Sequence, residues 1–347
     1  MRSYQQADLT LAAGNGSDPK LVKDLQADLR ALGYLWRGID GDYGSGTKSA
    51  VRALCDDLIN NDGSSTGGDG RAPVAIRDYN KGRVTGTVEV VAQNLAACID
   101  DLMMDPRVPK LPRSDVPQQD NARALAAVRA NVSRIAPTPF LLAMVMQESN
   151  SQHFAVPGKN DEDTYVIVGL DRNDRNGNKD RITSRGYGMG QATLFHHPPR
   201  PEELQGFIAD PVGNANAALA ELRQKFDDNV LGKYGADDRA AEHPMLSLRP
   251  CRYQPGDARY MNDCVACAKS LPSATINTGT PWFVGSSGSY QPDGLYPSAD
   301  YGELPSRVAF LCDWPYAVRR YNGSGNDSYH YQAIILRNLR NLPVAVA

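Results

Sequence analysis

Apolar residues recur at helical spacing directly after Asp18, in the first regular pattern along the chain. The pair Asp18-Pro19 is typical of a helix start, because the carboxylate caps the helix and proline fits its first turn. Gly33 is typical of a helix end. The pattern between them predicts an amphipathic helix that buries one face, made of Leu21, Val22, Leu25, Leu29 and Leu32.

A second helix is predicted after a tight turn at Asp40-Gly41 and Gly44. Thr47 begins a segment that carries Val51 and Leu54 on one side, as a helix packed on the first would require. Residues 72–104 then combine a strand or turn with a further helix.

The segment Phe140–Met146 is apolar without a break, so a helix there has no polar face and is predicted to be buried. Thr138-Pro139 precedes it as N-cap and first helical residue. Glu148 lies near its C-terminal end, where apolar neighbours and the negative end of the helix dipole both raise the pKa of a carboxyl group. A carboxyl group that stays protonated near neutral pH can act as a general acid. The alternative is that Glu148 points into solvent.

Four prolines interrupt the sequence between Asp105 and Gln119, "DPRVPKLPRSDVPQQ". Such a segment makes a poor helix or strand and is typical of a semi-rigid linker. We therefore predict two domains, residues 1–105 and 120–347, joined by a linker at 106–119. The helical patterns on both sides predict a mainly α fold.

Composition adds few constraints. The chain has 347 residues, 41% hydrophobic and 22% charged, with a net charge of −3, which gives no reason to expect nucleic acid as a partner. No apolar run is long enough to span a bilayer. The N-terminus lacks the apolar core of a secretory signal peptide. The chain is thus cytoplasmic, or exported by a route that reads no such signal, or a processed form.

The six cysteines favour an oxidising compartment. Cys55 and Cys98 fall in the N-terminal third, and the other four in the C-terminal half, so each part holds an even number, as disulfides require. Cys98 could tether its helix to Cys55. The alternatives are reduced, buried thiols or a zinc site. Zinc usually needs two close cysteine pairs, and only one is found among Cys251, Cys264, Cys267 and Cys312.

The two N-terminal helices and their turn resemble the small three-helix peptidoglycan-binding domain attached to many cell-wall hydrolases. About forty residues carry the resemblance, which lies in Leu25-Gln26, Leu32-Gly33-Tyr34, Ile39-Asp40-Gly41-Asp42-Tyr43-Gly44, Thr47 and Ala50-Val51. The resemblance implies that peptidoglycan is a partner. The alternative is a generic helical hairpin with the same turn chemistry.

Four further motifs lie between residues 138 and 340. In chain order they are Glu148-Ser149, Gly188-Met189-Gly190-Gln191, the helix from Asp210-Pro211 through Asn214, and Arg320-Tyr321-Asn322-Gly323 followed by Tyr329. Together they resemble the catalytic domain of soluble lytic transglycosylases, relatives of goose-type lysozyme. The resemblance implies a lysozyme-like, α-rich catalytic domain. Gly190 and Arg320 depart from the family, which usually has Met and Ala there, so the sugar subsites are not defined.

The transglycosylase resemblance implies a reaction and a set of roles. Glu148 would protonate the leaving oxygen between N-acetylmuramic acid and N-acetylglucosamine, then take the proton of the C6 hydroxyl as a 1,6-anhydro ring closes. Ser149 would orient Glu148 or polarise the N-acetyl group. Gln191 and Tyr321 would hydrogen-bond the sugar or the acid, and Asn322 would fix its loop.

Two polar loops offer other chemistry. Asp174, Asn176, Asn178 and Asp180 alternate like the start of a calcium loop, although Lys179 and Arg185 replace the usual glycine and glutamate. A solvated polar loop is the alternative, and no cofactor is required for the reaction. One of the acidic residues at 161–163 could be a second carboxylate, which would make the enzyme a water-using muramidase.

The leading interpretation is a monomeric peptidoglycan lytic transglycosylase with a wall-binding domain, exported to act in the periplasm or cell wall. A hydrolytic muramidase on the same bond is the alternative enzyme, and a non-catalytic wall-binding protein is the alternative of another class. A phage lysin or an antibacterial effector would fit the missing signal peptide. An effector would bring an immunity protein as a partner.

Overall fold

The computed structural model describes residues 1–14, 16–36, 38–64, 74–130, 137–170, 177–229, 312–323 and 326–342. Helices dominate these residues and strands are few, which confirms the mainly α prediction. Compact packing divides the chain into one unit made of residues 1–124 and 152–214 and a second made of 125–151 and 215–347. The predicted domain boundaries, which follow the proline-rich segment, stay a prediction.

The elements of the described chain follow in order. They are α1 (Pro19–Ala31), α2 (Ser45–Asn60), a 3-10 turn (Ile76–Tyr79), α3 (Gln93–Met104), α4 (Pro117–Ala130), α5 (Thr138–Ser149), β1 (Val168–Leu170), β2 (Arg185–Tyr187), β3 (Ala192–Leu194), α6 (Pro201–Glu203), a π-helical turn (Leu204–Ile208), α7 (Pro211–Asn229), α8 (Trp314–Tyr321) and α9 (Asn326–Asn341).

The predicted start and end of the first helix are confirmed. The Asp18 carboxylate accepts a hydrogen bond from the Lys20 N–H at 2.9 Å, and Gly33 adopts a φ of 81°. The second helix begins at Ser45, two residues before the predicted Thr47. Apolar side chains from α1, α2 and α3 form one core, which Ile182 from the later stretch of the unit completes.

A buried ion pair links the N-terminal helices to the later stretch of the first unit. The Arg30 guanidinium donates to both carboxylate oxygens of Asp163, at 2.8 and 3.1 Å, and also to the Val166 carbonyl. Both side chains of the pair are almost fully buried. The N-terminal helices therefore share their interior with residues 152–214.

The proline-rich segment at 106–119 packs on the first unit. Val108 and Leu111 are buried, and the Leu111 N–H donates to the Ala31 carbonyl at 2.7 Å. Arg113 forms a β-bridge with Tyr165. Its last residues begin α4 at Pro117, because proline fits the first helical turn, and its apolar residues Val108 and Leu111 lie in the core of the first unit.

In the second unit, α5 packs against α9, and α9 against α8. The Asn338 amide donates to the Ala143 carbonyl at 3.3 Å, and Phe226 of α7 stacks on Trp314 with ring centroids 4.2 Å apart. No helix in the described part of the chain combines the length and the apolar character needed to cross a membrane.

The predicted link between Cys55 and Cys98 is not formed. Both are separate, buried thiols, and burial raises the pKa of each. An even cysteine count carries no information on whether two Cβ atoms face each other, which a disulfide requires. Cys251, Cys264 and Cys267 lie outside the described residues.

Candidate functional site

Helix α5 presents Glu148 from an apolar surrounding, as predicted. The helix ends one residue after Glu148, where Asn150 adopts a left-handed conformation with a φ of 54°. Met144 and Val145, one turn earlier on the same face, are buried, whereas Met146 is exposed. Glu148 is partly buried on this face. The helix begins at Thr138 itself, one residue earlier than predicted.

A tyrosine from α9 holds the Glu148 carboxyl group. The Tyr331 hydroxyl donates to Glu148 Oε1 at 2.5 Å, and the Tyr331 ring is buried. Burial raises the pKa of Glu148 from 4.5 to about 7. The Tyr331 hydrogen bond lowers this pKa because it favours the carboxylate, and the charge of Glu221 raises it. Burial outweighs the hydrogen bond.

Tyr321, at the end of α8, joins this group. Its ring stacks on Tyr331, with centroids 6.3 Å apart and planes 20° from parallel. Burial raises the pKa of Tyr321, and the negative charges of Glu221 and Glu148 raise it further. Both phenols therefore stay protonated and can donate hydrogen bonds at any physiological pH.

Glu221 is a second carboxyl group in the same unit, and no motif in the sequence marks it. It lies on α7, and its side chain contacts Lys225 one turn on, at 3.6 Å. Burial raises the pKa of Glu221, and Lys225 opposes this effect. Glu221 flanks the buried face of α7, which includes Ala218 and Leu222. Its position beside the buried face of a helix was the only feature of the sequence that could have pointed to Glu221.

The other predicted residues of the second unit have structural partners. The Ser149 hydroxyl donates to the Val145 carbonyl at 3.1 Å, one turn back in its own helix. Asn322 is exposed and follows the last residue of α8, with its N–H bonded to the Arg319 carbonyl. The structure thus brings Glu148, Tyr321 and Tyr331 together, with Ser149 next along the helix.

Gln191 belongs to the first unit, where it closes the turn between β2 and β3. Its side-chain amide donates to the Gly188 carbonyl at 2.7 Å, and its own φ is 51°. Gln191 Oε1 lies so close to Gly169 that a Cβ on that glycine would be 2.0 Å away. The role of Gln191 toward a sugar stays a prediction.

Two buried side chains fix the same turn. Asn214 accepts from the Gly190 N–H at 2.7 Å and donates to the Tyr187 carbonyl at 2.8 Å. The His153 Nδ1 accepts from the Met189 N–H at 3.3 Å, while its Nε2 donates to the Ile208 carbonyl. The glycine-rich motif is therefore held on both sides, although the sequence indicated no part for His153.

The acidic residues at 161–163 have partners within the first unit. Asp163 pairs with Arg30, and Asp161 Oδ1 accepts from the Ile39 N–H at 2.7 Å. Glu162 is largely exposed and bonds Lys23. Asp161 and Asp163 thus organise the first unit, and a role for one of these acidic residues as a second carboxylate stays a prediction.

Half of the proposed calcium loop can be located. Asp180 binds the Arg52 guanidinium through both oxygens, at 2.8 and 2.7 Å, and the Asn178 amide donates to Asp56 at 2.9 Å. Asp174 and Asn176 lie outside the described residues. Within the described ranges, no cluster of three or more potential metal-binding side chains is found. Calcium binding stays a prediction.

Comparison with known families identifies the N-terminal helices. Residues 18–54 match the family described as "Putative peptidoglycan binding domain". This range covers α1, the turn and much of α2. The chain therefore carries a peptidoglycan-binding domain at its N-terminus, which supports peptidoglycan as a partner and an association with the cell wall. No curated protein and no solved structure matches the chain.

Proposed function

We propose that the second unit cleaves the β-1,4 bond between N-acetylmuramic acid and N-acetylglucosamine in peptidoglycan, with Glu148 as general acid. The setting of Glu148 is the main support, because a carboxyl group with a pKa of about 7 holds its proton in a large fraction of molecules at neutral pH. The peptidoglycan-binding domain supports the same substrate.

The proposed reaction proceeds by ring closure. Glu148 gives its proton to the glycosidic oxygen as the bond from that oxygen to C1 breaks. The Glu148 carboxylate then takes the proton of the C6 hydroxyl, whose oxygen bonds to C1 and forms 1,6-anhydro-muramic acid. The acid is restored, and one carboxyl group suffices. Tyr331 and Tyr321 would donate hydrogen bonds that steady the carboxylate or the sugar.

Hydrolysis is a second candidate, and Glu221 favours it. Glycosidases that use water ordinarily need two carboxyl groups, one as acid and one as base or nucleophile. Glu221 lies close enough to Glu148 for its charge to raise the pKa of Glu148. If Glu221 activated water, the products would carry reducing ends.

Mass spectrometry of digested muropeptides tests the proposal, since the anhydro product is one water lighter than the hydrolysed product. We expect anhydro termini from the wild type. Glu148→Gln should lower the cleavage rate by about 10²-fold or more, the scale of general-acid catalysis. Glu202→Gln, at an exposed residue of the first unit, is the matched control and should cleave normally.

The contrary outcomes are distinct. Normal cleavage by the Glu148→Gln variant would remove Glu148 from the reaction. Reducing ends alone, lost in Glu221→Gln, would establish the muramidase alternative. A folded wild type that binds peptidoglycan but releases no fragment would establish a binding protein.

We also propose that the enzyme acts in the periplasm. Expression in a bacterium with an added secretion signal should lyse the cells, while expression without the signal or with Glu148→Gln should not. If the protein expressed without the signal lysed the cells to the same extent, the proposed site of action would be contradicted. An immunity protein stays a prediction.

A further inference from the structure

The first unit carries an open groove between the 3-10 turn and the C-terminal end of α3. Its volume is about 840 Å³. Small-molecule sites span roughly 300–1,000 Å³, so the groove has room for a short run of sugar rings. It lies outside residues 18–54 and has no part in the proposed reaction. The lining side chains that could contact a ligand include Tyr79, Lys81, Asp101, Met104, Asp105 and Arg107.

Ion pairs neutralise the carboxylates of the groove. Asp101 accepts from Lys81 at 2.9 Å and from Arg83 at 2.6 Å. Asp105 accepts from the Arg107 Nη2 at 2.7 Å. These carboxylates stay ionised, because their partners lower the pKa of both. Asp78, Asp101 and Asp105 line the groove together with the cations Lys81 and Arg107. Arg83 binds Asp101 from outside the lining and balances the third carboxylate, so the groove suits an uncharged ligand.

The walls are fixed and partly apolar. The Tyr79 ring packs against the core of the unit, and its hydroxyl donates to Asp105 at 2.9 Å. The Lys110 ammonium donates to the Leu102 and Val108 carbonyls at 2.9 and 2.8 Å, which closes the end of α3. Met104 remains 71% exposed. The held aromatic ring offers a contact surface at little entropic cost, and the pliable thioether of Met104 can adapt its shape to a ligand.

We infer that this groove binds the glycan strand of peptidoglycan and recognises N-acetylated amino sugars. The ring face of a sugar matches Tyr79, its hydroxyls match the ion-paired carboxylates and Arg107, and an N-acetyl methyl matches Met104. A stem peptide carries carboxylates and an amine that would compete with the existing ion pairs. The inference depends on the peptidoglycan-binding domain and is independent of Glu148.

Hydrogen–deuterium exchange of the full chain locates the binding. The Glu148→Gln variant serves as the background, so the probe, a soluble tetramer of β-1,4-linked N-acetylglucosamine, is not consumed. We expect protection of residues 74–81 and 101–107. A soluble wall stem peptide is the second arm. Protection of the groove by the peptide and not by the sugar would overturn the inference, and so would sugar protection confined to other segments.

Variants test the groove itself. Met104→Lys changes an exposed residue, so the fold should survive, and we expect affinity for the tetramer to fall about tenfold, as for a central contact residue. Val90→Lys is the matched control, since Val90 is also exposed, in the same unit but outside the groove. Equal affinities of the two variants would overturn the inference. If the protein did not cleave peptidoglycan but the tetramer still protected the groove from exchange, only the proposed function would be contradicted.

Discussion

Replacement of Glu148 by glutamine should stabilise the protein above neutral pH. Glutamine keeps the shape of the side chain and can still accept from Tyr331, but it carries no charge. The folded protein holds the Glu148 carboxyl group with a pKa of about 7, against 4.5 for an ordinary glutamate. Ionisation is therefore harder in the folded state than in the unfolded chain.

The sign and the size of the effect follow from this difference. Between pH 4.5 and 7 the folded state binds more protons than the unfolded state, so stability falls as the pH rises through this window. Each pH unit is worth about 1.4 kcal/mol, which gives about 3 kcal/mol across the window. The wild type should bear this cost at pH 8, and the Glu148→Gln variant should not.

Urea denaturation at pH 4.5, 6 and 8 measures the difference. Tryptophan fluorescence is a suitable probe, because Trp314, one of three tryptophans in the chain, stacks on Phe226 within the second unit. We expect the variant to gain about 3 kcal/mol over the wild type between the lowest and the highest pH. Glu202→Gln is the control for the substitution and should track the wild type at every pH. A stability difference between the Glu148 variant and the wild type that does not change with pH would refute the assignment of a raised pKa.

Three further predictions concern contacts of the two units. Asp163→Ala leaves the Arg30 charge buried and unpaired, so the free energy of unfolding measured in urea should fall by about 3–5 kcal/mol. A fall of less than about 1 kcal/mol would mean that water reaches the pair. Asn214→Ala removes the two hydrogen bonds that Asn214 makes to the glycine-rich turn, so it should cost about 2–4 kcal/mol and speed exchange of the Gly190 amide. Unchanged exchange would contradict this support. Tyr331→Phe removes the hydrogen bond that favours ionised Glu148, so the alkaline limb of the pH–rate profile should move to higher pH, and movement to lower pH would contradict the geometry.

Local features of the sequence predicted the local structure well. The Asp18 cap and Gly33 at the end of the first helix depend only on neighbouring residues, and both were confirmed. The apolar surrounding of Glu148 follows from one helical turn of sequence. The shift of its pKa could be anticipated in direction for the same reason.

Contacts across long stretches of chain were not predictable in the same way. Tyr331 meets Glu148 across 183 residues, and Asp163 meets Arg30 across 133. Glu221 looked like any glutamate at the edge of an amphipathic helix. The packing of the proline-rich segment was not predictable either, because composition does not report whether Leu111 finds a buried site. Periodicity predicts which face is buried, and only the fold specifies what lies against it.

The ion pair between Arg30 and Asp163 also determines when the N-terminal helices can finish folding. The two residues are 133 positions apart, so at a synthesis rate of roughly 5–20 residues per second the partner of Arg30 leaves the ribosome on the order of ten seconds later. During this delay the interior shared by α1 and α2 is incomplete, because Ile182 is also missing. The first and the second unit each combine two separate stretches of chain, so neither can fold simply as its residues emerge. The peptidoglycan-binding helices are therefore made first and completed late, and a nascent chain halted before Asp163 should expose them to chaperones and proteases.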